Sequence, residues 1–183
     1  GISLTSWTLA QIFEARDAQL RGHFALPARL AESMYTDDAL SVARENRLAP
    51  QRCIKVKIKP AKSGRGRSIA YEADALFGQE GVGITQAAIA SIHSCLIDHD
   101  IAFGRVIATP RDDGSRIDFE LHAWPIEHVR WDAPSRSYRT RVDAATAAPD
   151  ELESGEAEII HGDGRWVIFQ RFELDPFKHA ALL

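Results

Sequence analysis

Histidine and cysteine are the side chains of this sequence that could hold a metal ion, and their spacing does not favour one. His93 and His99 lie six residues apart, whereas histidines four residues apart would face one ion from a helix. His122 and His128 flank a Trp-Pro pair, with no cysteine or carboxylate at ligand spacing. Because a zinc site needs three or four converging ligands, we predict ordinary histidines, no metal and no cofactor.

Motifs for phosphate binding or covalent catalysis are incomplete. Neither G-R-G at 64–66 nor G-V-G at 81–83 completes G-x-G-x-x-G or precedes Lys-Ser or Lys-Thr. Cys95 lies on the apolar side of a predicted helix, which is typical of a small core residue. Asp112 and Asp113 lie in a predicted turn, where Asp is expected for backbone reasons. The sequence therefore predicts no catalytic residues and a protein that is not an enzyme.

Basic residues are concentrated in one strip. Between Asn46 and Tyr71 there are eight Lys and Arg and no Asp or Glu, which leaves 14 basic and 26 acidic residues, a net charge of −12, elsewhere. Such a strip can attract polyanions, although a solvated strand face followed by a loop is the alternative interpretation. The side chains that could contact a polyanion or a neighbouring subunit are Arg52, Lys55, Lys57, Lys59, Lys62, Arg65 and Arg67.

Length and composition are those of an ordinary globular domain. The 183 residues are 45% hydrophobic and 26% charged, which disfavours disordered and fibrous classes. Two cysteines are too few for a disulfide framework. Since no apolar run approaches the roughly 20 residues of a membrane-spanning helix, we predict no membrane association. The chain begins with Gly1 and ends on apolar residues, from which we expect a fragment of a longer protein.

Helical signals dominate the first fifty residues and recur once later. T-L-A-Q at 8–11 matches a capping box, and apolar residues then follow at helical spacing as far as Gly22. A second helical region is predicted to begin near Leu26-Pro27, and Thr36-Asp37-Asp38 resembles a new N-cap for helical residues that continue to Pro50. The first fifty residues are therefore predicted to form two or three helices. Residues 84–99 repeat an apolar side chain every fourth residue and give the clearest amphipathic-helix pattern in the chain.

The remaining pattern is that of strands. Apolar and polar residues alternate at 53–59 and 117–122, and the Asp-Gly turn at 111–115 predicts a hairpin over 101–123. Short strands are predicted at 129–132 and 138–142, and a final hairpin at 157–172. We therefore predict an α+β fold, with a helical segment over 1–50 and a mostly antiparallel sheet or small barrel within a domain at 51–183. Five aromatic residues are predicted to form the sheet core, namely Trp124, Trp131, Trp166, Phe169 and Phe172.

Several short motifs, each present once, follow one another in a characteristic order along nearly the whole chain. They are W-T-L-A-Q-I at 7–12 with G-H-F at 22–24 and P-A-R-L-A-E-S-M at 27–34, T-D-D-A-L at 36–40 leading to R-L-A-P at 47–50, L-I-D-H-D-I-A-F-G-R-V at 96–106, L-H-A-W-P at 121–125 with V-R-W-D at 129–132, and G-D-G-R-W-V-I-F at 162–169. In this order the chain resembles the N-terminal half of the portal proteins of tailed phages and prophages. The L-x-x-W-P and G-D-G-x-W-x-x-F motifs are the most specific, because they rarely occur together.

The resemblance implies a structural role. Portal proteins form a ring, usually of twelve subunits, at one capsid vertex, and double-stranded DNA passes through the ring during packaging and ejection. The implied partners are further copies of the chain, the capsid protein, the packaging motor and the head-to-tail connectors. The implied location is the virion, and the host cytoplasm during assembly. These residues would match the outer wing region of a portal subunit.

Two further hypotheses come from other functional classes. A stand-alone nucleic-acid-binding module would use the basic strip at 47–67 and bind DNA as a monomer in a salt-dependent manner. The strip has no aromatic residue before Tyr71, which weakens a base-stacking site. A small hydrolase would need a concave pocket holding carboxylates or histidines with strongly perturbed pKa values, and we rank it last.

Overall fold

The computed structural model describes residues 7–52, 84–110, 117–142 and 155–170. These residues form four α-helices, one short 3₁₀ helix and six strands. The helices are α1 (Leu9–Leu20), α2 (Ala25–Met34), α3 (Asp38–Arg52) and α4 (Gln86–His99). The strands are β1 (Ile101–Pro110), β2 (Ile117–Ala123), β3 (Val129–Asp132), β4 (Ser137–Arg141), β5 (Glu156–Ile159) and β6 (Trp166–Gln170), with the 3₁₀ helix at Ile126–His128. The predicted α+β class is confirmed.

Local chemistry sets the ends of α1. The Thr8 hydroxyl accepts a hydrogen bond from the Gln11 backbone N–H at 3.3 Å, and the Gln11 side chain accepts one from the Thr8 N–H at 2.9 Å. This is the predicted capping box, and it satisfies two backbone donors that the helix cannot. After the helix, Gly22 has a φ of +75°, and a Cβ there would lie 2.6 Å from the Cβ of Trp131. Only glycine fits this close approach of α1 to β3.

The boundaries of α2, α3 and α4 lie within two residues of those predicted. Pro27 lies in the first turn of α2, and the Asp37 carboxylate caps α3 by accepting from the backbone of Ala39 at 2.9 Å and of Leu40 at 3.1 Å. The predicted end of α3 at Pro50 is wrong, because the helix continues to Arg52 with the proline inside it. A proline inside a helix lacks the N–H that would bond to the carbonyl four residues back, and here only two residues of the helix follow it.

A similar correction applies to the start of α4. The apolar pattern predicts a helix from residue 84, but the first helical residue is Gln86. Thr85 is the N-cap, and its hydroxyl accepts a hydrogen bond from the Ala88 N–H at 3.1 Å. A threonine in this role keeps extended backbone angles, so the residues before it lie outside the helix.

The described strands form two three-stranded antiparallel sheets. One sheet has the order β2-β1-β6, and the other has the order β3-β4-β5. The hairpin predicted over 101–123 is present, with β1 and β2 paired from Gly104 opposite Ala123 to Pro110 opposite Ile117. Its turn at 111–116 lies outside the described residues.

The final hairpin predicted at 157–172 is wrong. β5 pairs with β4 in one sheet, and β6 pairs with β1 in the other. Between them His161 makes an isolated parallel bridge with Trp166, and Gly162 and Gly164 adopt positive φ angles of 81° and 88°. The glycine-rich turn that suggested a hairpin therefore carries the chain from one sheet to the other.

The main core lies where both sheets meet the helices. Its buried members include Phe24 before α2, Phe103 of β1, Tyr138 of β4 and Trp166 of β6. Phe103 and Tyr138 contact each other edge to face with ring centroids 5.0 Å apart. A second cluster joins α4 to β1 and β2 through Ile92, Ala102 and Leu121. The helical segment and the sheets thus share one apolar core.

Candidate functional site

The basic strip falls almost entirely outside the described residues. Arg52 is the last residue of α3, and Lys55, Lys57, Lys59, Lys62, Arg65 and Arg67 lie in the range 53–83 that the structure does not describe. The segment from Asp143 to Glu158, which has six acidic residues and no basic one, is described only from residue 155 onward. The strip therefore remains a sequence-based prediction.

The four histidines considered as metal ligands are distributed along the chain. His93 and His99 both lie on α4, with His99 only 7% exposed. His122 is exposed and contacts Glu120, with 2.9 Å between Nε2 and Oε2. His128 is exposed at the end of the 3₁₀ helix. Within the described ranges, no group of three or more His, Cys, Asp and Glu could hold a metal ion.

Cys95 is in the environment that the sequence predicts for a small core residue. Its Sγ donates to the carbonyl oxygen of Ile101 at 3.4 Å, and its side chain packs against both apolar clusters. Burial is the largest cause that raises the pKa of the Cys95 thiol to about 12. His99 lies four residues further along the helix, but burial lowers the pKa of its imidazole. Both shifts disfavour the charged forms, and therefore oppose a thiolate–imidazolium pair.

A buried polar cluster, which sequence analysis did not find, links α3 to α4. Asp98 of α4 accepts hydrogen bonds from the Tyr35 hydroxyl and, at 2.8 Å, from Arg44 Nη2. The Arg44 guanidinium also contacts the Ser94 hydroxyl, and its centre lies 4.2 Å from the centroid of the Tyr35 ring. The Asp98 side chain is 7% exposed. Burial, followed by the Asp98 carboxylate, raises the pKa of Tyr35 to about 12.

Two cavities lie on either side of this cluster. The first, which we call the α1–α2 cavity, has a volume of about 520 Å³ and is lined mainly by apolar side chains of α1 and α2. The second is a more open groove of about 1080 Å³, lined in part by Tyr35, Arg44, Leu48, Cys95, Trp124 and Glu127. Asp98 and His99 line both of them. The end of α4 therefore separates the two concave surfaces.

His99, which lines both cavities at the end of α4, has a perturbed pKa. Burial is the largest cause and lowers the pKa of the imidazole, while the neighbouring Asp98 and Glu127 carboxylates act in the opposite direction. Its Nδ1 has no hydrogen-bond partner in the described part of the chain. The ring instead packs edge to face on Phe24, with centroids 6.5 Å apart. The folded protein therefore favours a neutral His99.

We expect the stability of the protein to decrease as the pH falls below about 6.5, the ordinary pKa of histidine. The folded state binds the His99 proton less readily than the unfolded state, so protonation favours unfolding. The contribution is at most about 1.4 kcal/mol per pH unit. Urea unfolding at pH 7.5, 6.5 and 5.5 would measure it. His99→Phe should decrease the dependence of the unfolding free energy on pH, and the exposed control His128→Phe should leave it unchanged. Equal pH dependence of the unfolding free energy in the two variants would contradict the prediction.

The two most specific sequence motifs meet in the core. Trp124, from the L-x-x-W-P motif, contacts Trp166, from the G-D-G-x-W-x-x-F motif, edge to face with centroids 5.2 Å apart. Trp124 Nε1 donates to the Thr140 hydroxyl at 2.6 Å. In the turn, the Asp163 carboxylate accepts from the backbone of Arg165 at 2.7 Å and of Trp166 at 2.8 Å. These motif residues therefore join the two sheets.

The aromatic residues that the sequence predicts for the sheet core also pack there in the part of the chain that the structure describes. Trp166 is 1% exposed, and Trp131 packs on the core with its ring centroid 5.0 Å from that of Tyr138. Phe169 packs against the α4 cluster, and Phe172 lies outside the described residues. For the residues that the structure describes, the predicted aromatic core is confirmed.

No protein-family model matches the sequence, and no curated protein gives a significant match. Among the described residues, no helix is both long and apolar enough to cross a membrane.

Proposed function

We propose that this chain is a structural subunit, or the wing region of one, of a portal ring at the capsid vertex of a tailed phage or prophage. The observation that carries the proposal is the contact between Trp124 and Trp166, whose ring centroids are 5.2 Å apart. These tryptophans belong to the two motifs on which the resemblance to portal proteins is most specific. Because both serve packing between the sheets, they have the role expected of residues shared with a structural family.

Apolar side chains left exposed on the helices also support assembly. On α1, Leu9 is 73% exposed, Phe13 58% and Leu20 49%, and on α3 Val42 is 59% exposed. Single exposed apolar residues are ordinary, but several on one helix are typical of a surface that a partner covers. A ring subunit needs such surfaces on its flanks, because each copy contacts two neighbours.

The experiment that tests the proposal is light scattering on size-exclusion eluate at low and high salt, followed by electron microscopy of the leading peak. We expect a discrete closed ring, usually of twelve 20.3 kDa chains. Anisotropy of a labelled DNA duplex, measured on the same samples, tests the nucleic-acid-binding module. A species that stays monomeric at every concentration and binds the duplex in a salt-dependent manner would contradict the ring and favour that module.

Charge reversal in the basic strip adds a matched comparison. Lys55→Glu, Lys57→Glu and Lys59→Glu together should decrease the ring fraction if the strip contacts the acidic segment at 143–158 of a neighbouring subunit. Arg21→Glu, Arg29→Glu and Arg136→Glu together change three exposed arginines elsewhere and serve as the control. An unchanged ring in the lysine variant would exclude the strip as a subunit contact.

A further inference from the structure

The α1–α2 cavity has the size and lining of a small-molecule site. Its volume of about 520 Å³ falls within the range of roughly 300–1,000 Å³ that is usual for ligand pockets. The apolar walls come from α1 and α2, and include Ile12, Leu20, Leu30 and Met34. Ile12 and Met34 are each 36% exposed, so they border the opening. A cavity lined in this way favours apolar molecules over water.

One end of this cavity is polar, and its Asp98 carboxylate already has partners. Asp98 is paired with Arg44 at 2.8 Å and also accepts from Tyr35. Gln19 Nε2 donates to the carbonyl oxygen of His99 at 3.4 Å, which satisfies one carbonyl at the end of α4. His99 lines the cavity, is 7% exposed, and has a ring nitrogen without a partner among the described residues.

The geometry points to the α1–α2 cavity as a binding site for an uncharged, mostly apolar molecule that carries one hydroxyl group. The apolar body would lie against Leu30 and Met34, and the hydroxyl would hydrogen-bond to the imidazole of His99. A neutral imidazole has one donor and one acceptor nitrogen, so it can pair with a hydroxyl in either direction. A carboxylate beside His99 would have to be desolvated, and the Arg44 guanidinium next to Asp98 is already engaged, which leaves Arg16 as the arginine that lines the cavity.

Three probes of the same shape test this site, namely 2-naphthol, naphthalene and 2-naphthoate, titrated into the full chain at pH 7.5 by calorimetry. We expect 2-naphthol to bind with one site per chain, about five- to tenfold more tightly than naphthalene, because one hydrogen bond is added. We expect 2-naphthoate to bind at least about tenfold more weakly than 2-naphthol. Arg16 lies at the cavity on α1, so tighter binding of the naphthoate would overturn the assignment of an uncharged ligand.

Substitutions locate the binding in the cavity. Leu30→Trp should fill it and abolish binding of 2-naphthol, whereas Val42→Trp adds the same ring at an exposed position of α3 and should have no effect. Met34→Trp, at the opening, provides a second blocking variant if Leu30→Trp does not fold. His99→Phe keeps the aromatic ring beside Phe24 and should remove the preference for 2-naphthol over naphthalene while naphthalene binds as before. Absence of binding, or binding that both blocking variants retain, would overturn the proposal.

Discussion

Replacing Trp166 by alanine is expected to lower the free energy of unfolding by about 3–5 kcal/mol. Trp166 is 1% exposed and is the largest of the fully buried side chains among the described residues. It contacts Trp124 of the segment between the sheets, and the Arg105 guanidinium lies 4.6 Å from its ring centroid. Truncation would leave a cavity in the core between the two sheets, and would remove the ring that covers the buried Arg105.

Urea denaturation followed by far-ultraviolet circular dichroism measures this loss without relying on tryptophan fluorescence. Phe119→Ala is the matched control, because it truncates an aromatic side chain that is 42% exposed on β2 of the same sheet. We expect the control to cost less than about 1 kcal/mol. Trp166→Phe should lie between the two. If both alanine variants lost the same stability, Trp166 would not be a central packing residue.

Local signals in the sequence predict the helices well. The capping box at Thr8, the aspartate cap before α3 and the apolar repeat of α4 each depend on residues within four positions of one another. The chemistry that starts a helix is therefore contained in the sequence segment itself. The errors at Pro50 and at residue 84 are of two residues, because a cap fixes a boundary more precisely than periodicity does.

Strand pairing depends on information that the sequence segment does not contain. The sequence predicts the turn at 161–164 correctly, but not the strands with which β5 and β6 pair on either side of it. β5 buries Ala157 and Ile159 against β4, whereas β6 buries Trp166 against β1 and Trp124. Both choices depend on long-range packing, and an alternating pattern specifies which face is buried, not which neighbour lies beside it.

The polar cluster around Asp98 shows the same limit for the site. Along the chain, Tyr35 lies 63 positions before Asp98, and Arg44 lies 54 positions before it. No motif joins them, and each residue alone is unremarkable. One signal was available, since Asp98 lies three residues after Cys95, close to the apolar side of α4. A carboxylate at such a position needs a partner, although the sequence does not name it.

We expect Asp98→Ala to lower the free energy of unfolding by about 3 kcal/mol, because breaking a buried pair leaves the other charge without its partner. The Asp98 side chain is 7% exposed and that of Arg44 is 24% exposed. The substitution would also leave the Tyr35 hydroxyl without its acceptor. Asp17→Ala, at an exposed position of α1, is the control and should change stability by no more than about 0.5 kcal/mol. Equal effects of the two alanine variants would contradict a structural role for the cluster.

A double-mutant cycle separates the pair from the rest of the core. Arg44→Met keeps much of the length of the side chain and removes its charge, so the double variant Asp98→Ala with Arg44→Met should be less destabilised than the sum of the single variants. Additive effects would mean that the ion pair contributes nothing beyond the packing of its two side chains. Urea unfolding of the four proteins under one set of conditions gives the coupling free energy directly.

Hydrogen exchange then identifies the element that the cluster holds. In the described part of α3 one side chain is buried, Leu48 at 2% exposed, while the Arg44 side chain is 24% exposed and paired with Asp98 of α4. We therefore expect the attachment of α3 to α4 to depend strongly on Asp98. We expect faster amide exchange along α3 in Asp98→Ala, with little change in β1 and β6. The basic strip at 47–67 begins within α3, so loosening α3 would also release the start of the strip. If the strip contacts a neighbouring subunit, Asp98→Ala should decrease the ring fraction in the same direction as the lysine variant. Unchanged exchange in α3 would instead mean that Asp98 chiefly holds Tyr35 and the end of α2.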